Sequence, residues 1–265
     1  MTRIVNNCVA LVCLCLFWGQ SLRAADASHS EQIKWGNESV FNEEHNTLGL
    51  FSGVLGGQIV LAGGTSDDYS RWGRNAVCLS ENAGFALYED VLSKPLAYGA
   101  SITLSDGILC IGGRDSSQCY EDVFFVTMQQ GKLNVSEDWP PLPFPLSNAA
   151  GALLDNKVYL FGGRKSVSPS RLSDSFFVLD LSNKSRGWKE LPGYPGCVRE
   201  DAILVVQNNG VSPCLYLLGG QTETEEGLSS CLTDGYVYNP QLGKWSSLGS
   251  DSVSYTHLRA HETVL

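Results

Sequence analysis

Three arginines stand beside short glycine- or proline-marked motifs. Arg114 follows Gly112-Gly113, Arg164 follows Gly162-Gly163, and Arg199 opens the run R-E-D-A-I, with Asp201 two positions on. Asp115 adjoins Arg114, while Tyr98 and Asn148 occupy matching places in P-L-A-Y-G-A and P-L-S-N-A-A. A guanidinium grips a carboxylate through two parallel hydrogen bonds, so arginines converging from several loops could hold an organic acid. Arg114, Asp115, Arg164, Arg199, Tyr98 and Asn148 are therefore the candidate ligand-facing residues. The competing reading is that Arg114 and Arg164 pair with neighbouring aspartates and merely tie loops together. No G-x-S-x-G, H-E-x-x-H or P-loop is present, which gives no support to serine hydrolase, zincin or nucleotide chemistry.

What positions these residues is a repeated hairpin. The stretch Lys94–Gly113 reads as an entry loop, a strand, an Asp106-Gly107 turn with both residues at positive φ, and a second strand stopped by Gly-Gly. The pattern recurs with stops at Gly63-Gly64, Gly112-Gly113, Gly162-Gly163 and Gly219-Gly220, spaced by 49, 50 and 57 residues. After three of the stops come an aspartate and an aromatic strand, beginning at Asp122, Asp174 and Asp234. A tryptophan on a fourth, outer strand follows each time, at Trp139, Trp188 and Trp245. The recurring aspartates read as scaffold.

A period near fifty with a strand-ending Gly-Gly resembles the kelch repeat, one four-stranded blade of a β-propeller. The fold expected is all-β, with four blades over residues 25–252. In such blades the loops carrying the three arginines open on one end of the ring, and Tyr98 and Asn148 lie near its central channel. The first unit departs from the pattern. Between Gly64 and Lys94 it offers only Leu87-Tyr88-Glu89-Asp90 and an early Trp72, as a degenerate blade or one with sequence missing. Trp35 is a candidate for an outer strand of a closing blade.

At the N-terminus, Arg3 precedes the apolar run Val9–Trp18, too short for a permanent span, and small residues follow. Residues 1–24 are expected to be a signal peptide and the protein to be exported, with no stable membrane insertion. The net charge of −10 becomes −12 once Arg3 and Arg23 are removed, and no basic stripe appears, which disfavours nucleic acid. Beyond the leader, Cys78, Cys110, Cys119, Cys197, Cys214 and Cys231 allow fifteen disulfide pairings. Cys110 and Cys214 lie in apolar strands and read as small buried hydrophobes. Val253–Thr263 leaves the repeat. Its His257 and His261 suggest a metal motif, but the eleven residues resemble a sequencing-adapter translation, so residues 253–265 are expected to be non-native.

Lys94–Gly113, Asn148–Gly163 and Arg199–Pro240 together resemble the cyclically permuted branch of the N-acetylneuraminate epimerase, or sialic acid mutarotase, family. The carriers are P-L-A-Y-G-A-S-I-T-L-S-D-G-I-L-C-I-G-G, P-L-P-F-P-L-S-N-A-A-G-A-L and R-E-D-A-I, within roughly residues 48–248. The resemblance implies an exported six-bladed propeller that interconverts anomers of a sugar acid without metal or cofactor. It also implies a catalytic Glu directly after a strand-ending glycine, with an Arg six residues later. This sequence has no such pair, since Thr65, Arg114, Arg164 and Gln221 follow the four stops. The resemblance thus implies about two further blades carrying the pair, and an inactive chain without them. A kelch module that binds protein or carbohydrate without chemistry is the alternative. A copper oxidase is set aside, because outside the adapter-like tail histidine is limited to His29 and His45.

Overall fold

Glycine pairs fix where each sheet stops and how the next one docks. The computed structural model describes residues 48–80, 84–224 and 227–249. Gly63 and Gly112 take φ of +71° and +63°, a conformation that costs glycine little. A Cβ on either would stand 2.2 Å from the carbonyl of Leu96 or Leu146. The second glycine completes the seam: the N–H of Gly64, Gly113 and Gly163 donates to Leu96, Leu146 and Arg199 at 2.9, 2.8 and 2.8 Å. The motif is a docking point between repeats as much as a strand stop.

The chain builds four four-stranded antiparallel sheets. The first holds β1 (Leu48–Leu55), β2 (Gln58–Thr65), β3 (Ala76–Ser80) and β4 (Gly84–Tyr88). The second holds β5 (Ala100–Thr103), β6 (Ile108–Ile111), β7 (Val123–Gln129) and β8 (Lys132–Ser136). In the third, β9 (Ala150–Leu154) and β10 (Lys157–Phe161) are followed by a loop hairpin, β11 (Arg164–Ser166) with β12 (Arg171–Leu172). The sheet then resumes with β13 (Phe176–Asp180) and β14 (Lys189–Glu190). The fourth repeats that plan: β15 (Ile203–Asn208), β16 (Pro213–Leu218), the hairpin β17 (Gln221–Glu223) with β18 (Ser229–Cys231), then β19 (Gly235–Asn239) and β20 (Lys244–Ser247). The inner strands touch in chain order, β1 to β5 to β9 to β15. This is a propeller arrangement, and four blades lie among the described residues.

Alternation along each strand sends successive side chains to opposite blade faces, and so into different cores. On β6, Ile108 and Cys110 pack toward the first blade with Phe51, Val60 and Ala62. Leu109 and Ile111 pack toward the third with Val158, Leu160 and Phe177. The third and fourth blades share Phe161, Phe176, Leu215, Leu217 and Tyr238. Each fully buried Val, Leu, Ile or Phe side chain among them contributes about 1.5–3 kcal/mol. On the fourth blade's other face, Ile203 and Val205 are 53% and 43% exposed. Their register partners, Leu218 and Tyr216, correspond to Phe161 and Tyr159 opposite the buried Ala150 and Ala152 of the third blade.

The structure corrects several expectations. Of the two readings of the first unit, the four-stranded sheet agrees with the degenerate blade and not with missing sequence: Ala76–Ser80 and Gly84–Tyr88 form its outer strands without the Asp–aromatic–Trp pattern. Asp106 and Gly107 are not at positive φ; that hairpin uses a wider loop, with Leu104 N–H donating to Gly107 C=O at 2.8 Å. A Cβ on Gly107 would meet the Phe125 ring at 2.3 Å. The left-handed pairs are Gly56-Gly57 and Asp155-Asn156. Of these three tryptophans Trp245 lies on an outer strand, while Trp188 precedes β14 and Trp139 follows β8. Trp188 and Trp245 pin adjacent repeats by donating Nε1–H to the carbonyls of Pro140 and Pro192, at 3.0 and 3.3 Å.

Register separates the aspartates. The N–H of Gly112, Gly162 and Gly219 reaches Asp122, Ser175 and Asp234, so Asp174 is one residue out of step. Asp122 pairs with Lys94 and Asp234 with Arg199, each cation belonging to the segment that enters the same blade. None of the six described cysteines is disulfide-bonded, and Cys110 and Cys214 are buried as small hydrophobes. The leader, Trp35, His257, His261 and the segment 253–265 lie outside the described residues.

Candidate functional site

At the entry to every inner strand one residue is left-handed. Gly49, Tyr98, Asn148 and Asp201 have φ of +64°, +60°, +54° and +53°. Non-glycine residues resist that region, so the surroundings must hold them there. The restraint is a backbone relay from blade to blade. Tyr98 N–H donates to Gly49 C=O at 2.7 Å, Asn148 N–H to Tyr98 C=O at 2.6 Å, and Asp201 N–H to Asn148 C=O at 3.0 Å. Gly49 makes room for its neighbour, since a Cβ there would sit 2.9 Å from the Tyr98 ring. One step of the fold thus presents a phenol, an amide and a carboxyl in a row.

Arg114 joins this row from the loop after β6. Its guanidinium carbon lies 4.7 Å from the centroid of the Tyr98 ring and 5.1 Å from that of Trp72, a cation–π geometry. The two rings meet edge-on at 6.3 Å, and Tyr69 stands 6.5 Å from Trp72. Arg114 Nη1 donates to Asp115 C=O at a long 3.4 Å. Among the described residues no carboxylate lies within ion-pairing distance of it. An arginine oriented by aromatic faces and lacking an anionic partner is well disposed toward an external anion.

Asn148 Nδ2 donates to Asp201 Oδ1 at 2.9 Å. The Asp201 side chain keeps access to solvent, but the protein mass around it displaces enough water to raise its pKa. The Asn148 bond opposes that rise, Glu200 adds to it, and Arg164 and Arg114 oppose it. Burial, with a hydrogen bond to Tyr69, pushes the Tyr98 phenol up, so it remains a protonated donor.

Three sequence candidates have structural partners instead. Arg199 was expected to face the ligand. It is wholly buried and makes a two-pronged pair with Asp234, with Nη1–Oδ1 at 2.7 Å and Nη2–Oδ2 at 2.8 Å. Its Nε–H also donates to Tyr194 Oη at 2.8 Å. Arg164 is engaged by Glu200, Glu223 and Ser170, with Nε–Oε2 of Glu200 at 2.8 Å and Nη2–Oε1 of Glu223 at 3.0 Å. The loop-tying alternative describes it, with glutamates in place of aspartates. Asp115 closes its own loop, accepting from Ser117 N–H at 2.7 Å, Gln118 N–H at 2.9 Å and Tyr120 O–H at 2.6 Å. Burial would raise its pKa, but these bonds prevail and hold it at about 2.

Tyr98, Arg114 and Asn148 do come together. Trp72 and Tyr69 were missed as site residues. Their signal was that Trp72 sits in the loop after Gly63-Gly64, the first-blade counterpart of the loop that Arg114 opens. Among the described residues there is no cluster of three or more His, Cys, Asp or Glu able to hold a metal.

Fold and seams define the class: a kelch-type β-propeller. Within that class, the N-acetylneuraminate epimerase family profile matches residues 139–257. The N-acetylneuraminate epimerase of Yersinia pestis (strain Pestoides F) is 30% identical over 117 residues, which is 43% of this chain and 27% of that one. That of Haemophilus influenzae (strain PittEE) is 31% identical over 117 residues, 44% of this chain and 28% of that one. A Vibrio cholerae protein described as kelch domain-containing is 32% identical over 110 residues, 41% and 28% of the two chains. The matches therefore span little more than a quarter of these relatives' length. The solved structure of YjhT superposes with a TM-score of 0.58 at 13% identity, covering 76% of this chain and 68% of that one, and supports the fold.

Proposed function

We propose that the protein is a sugar-acid mutarotase of the N-acetylneuraminate epimerase type, whose ligand carboxylate is bound at Arg114. The observation that carries the reading is the unpaired Arg114 guanidinium, set against Trp72 and Tyr98 beside the Asn148–Asp201 pair. The profile match at residues 139–257 supports the choice of a sialic acid among organic acids.

Mutarotation asks little of a protein. One group removes the proton of the anomeric hydroxyl while another protonates the ring oxygen; the ring opens, the carbonyl rotates, and closure gives the other anomer. Assistance of this kind is worth about 10²–10⁴-fold. Arg114 would anchor the carboxylate, and the Trp72 and Tyr69 rings offer apolar faces to the sugar carbons. The proton-transferring Glu and Arg implied by the resemblance would come from further blades of a six-bladed ring. We also take the protein to be exported, on the strength of Val9–Trp18.

Saturation-transfer NMR on N-acetylneuraminate tests the proposal. The 265-residue chain is expected to bind the sugar without accelerating anomer exchange. The full-length gene product should accelerate it and should encode the Gly-Glu and the Arg six positions on. A full-length product that binds but leaves exchange at its spontaneous rate would favour the non-catalytic kelch module.

A further inference from the structure

Arg114 alone would accept almost any carboxylate, so selectivity for a polyhydroxylated acid must come from elsewhere. Asp201 has the geometry for it. Its carboxylate is fixed on one side only: Oδ1 accepts from Asn148, and among the described residues Oδ2 has no hydrogen-bond partner. The backbone is held left-handed at φ +53° by its bond to Asn148 C=O. Asn148 thus grips Asp201 twice, through its amide side chain and through its carbonyl. Residues held at sparsely populated backbone angles cluster at active sites and ligand clamps. A carboxylate oxygen with free lone pairs accepts hydroxyl protons, the group that a sugar acid has in abundance and a plain acid lacks.

We infer that Asp201, positioned by Asn148, is the specificity residue of this site: it accepts hydrogen bonds from ligand hydroxyls and selects polyhydroxy acids over simple carboxylates. The inference rests on the proposed function for the carboxylate site at Arg114. The groups around Asp201 fit the role. Arg114 and Arg164 partly offset the burial and the Glu200 charge that disfavour its anionic form, and Glu200, already paired with Arg164, leaves that arginine unavailable as a partner for Asp201.

Calorimetric titration with N-acetylneuraminate and with propionate tests it, using wild type, Asp201→Asn, Asn148→Gly and the double variant. Both replacements tolerate positive φ, so the relay should persist. Wild type is expected to prefer the sugar acid. Asp201→Asn should weaken sugar-acid binding about ten-fold or more, as for a lost charged hydrogen bond, and leave propionate unchanged or tighter. Asn148→Gly should lose part of the preference, and the double variant should be no worse than Asp201→Asn, because the amide acts only through the carboxylate. Equal sugar-acid affinity in wild type and Asp201→Asn would overturn the inference while leaving the Arg114 site standing. No sugar-acid binding by wild type would overturn both.

Discussion

Arg199 and Asp234 are joined by two parallel hydrogen bonds of 2.7 and 2.8 Å, with the arginine wholly buried between the third and fourth blades. By the seam register Arg199 stands where Leu96 and Leu146 stand in the earlier repeats, and Asp234 where the third blade has Ser175. Removing one partner of a buried pair strands the other charge, whereas replacing both with packed neutral residues is often neutral. Asp234→Ser alone should cost about 3 kcal/mol or more of stability. Arg199→Leu/Asp234→Ser, which copies the third blade, should stay within about 1 kcal/mol of wild type. Denaturant titration separates the two.

The same pair carries a pH signature. The Arg199 hydrogen bonds hold the Asp234 carboxyl below its ordinary 3.8, against the opposing effect of burial. A depressed folded pKa contributes stability that is complete above the unfolded value and lost as pH falls through the folded one. Wild type should therefore lose stability on acidification below about pH 4 more steeply than the Leu/Ser double variant does. Urea midpoints at pH 6, 4 and 3 measure the difference.

Asp201 should behave in the opposite sense. Its pKa is raised, chiefly by the surrounding protein mass, so its ionised form is disfavoured in the fold. That penalty exists at neutral pH and vanishes below the unfolded pKa, where both states are protonated. Asp201→Asn should therefore stabilise the protein slightly at pH 7 and make no difference at pH 3. Paired melts at the two pH values check the sign, and a destabilised variant at pH 7 would contradict it.

Register equivalence between blades predicts unequal tolerance at matched positions. Ala152 and Val205 occupy the same step of β9 and β15, the first buried between blades and the second exposed. Ala152→Lys should be severely destabilising, by several kcal/mol, because it buries an unpaired charge. Val205→Lys should lie within about 0.5 kcal/mol of wild type. Thermal denaturation of the two variants reads this directly.

The repeat was legible because its markers are local. Each Gly-Gly stop, the inner hairpins and the aromatic strands follow from chain chemistry that a period near fifty makes visible. Where local signals misled, tertiary packing decided. The first blade needs no Trp, since Ala76, Val77 and Cys78 fill its outer half. Gly107 serves the Phe125 ring and not a tight turn. Within the site, Tyr98, Arg114 and Asn148 could be found because they recur at fixed offsets from the seams. Arg199 shares that kind of offset yet is consumed by Asp234, thirty-five residues away, a partnership no spacing announces. The left-handed row was equally hidden, because Gly49, Tyr98, Asn148 and Asp201 share a backbone angle and no side-chain type.

Carboxylate anchoring at Arg114 is the claim on which the functional account stands, and anomer exchange in the six-bladed protein proposed above measures it. Arg114→Met keeps an apolar stem against Trp72 and Tyr98 while removing the charge. Saturation-transfer NMR with N-acetylneuraminate should show accelerated exchange for wild type and at least a ten-fold loss for Arg114→Met, the scale of a lost charge-assisted hydrogen bond. Equal exchange rates in the two proteins, both folded, would contradict the account.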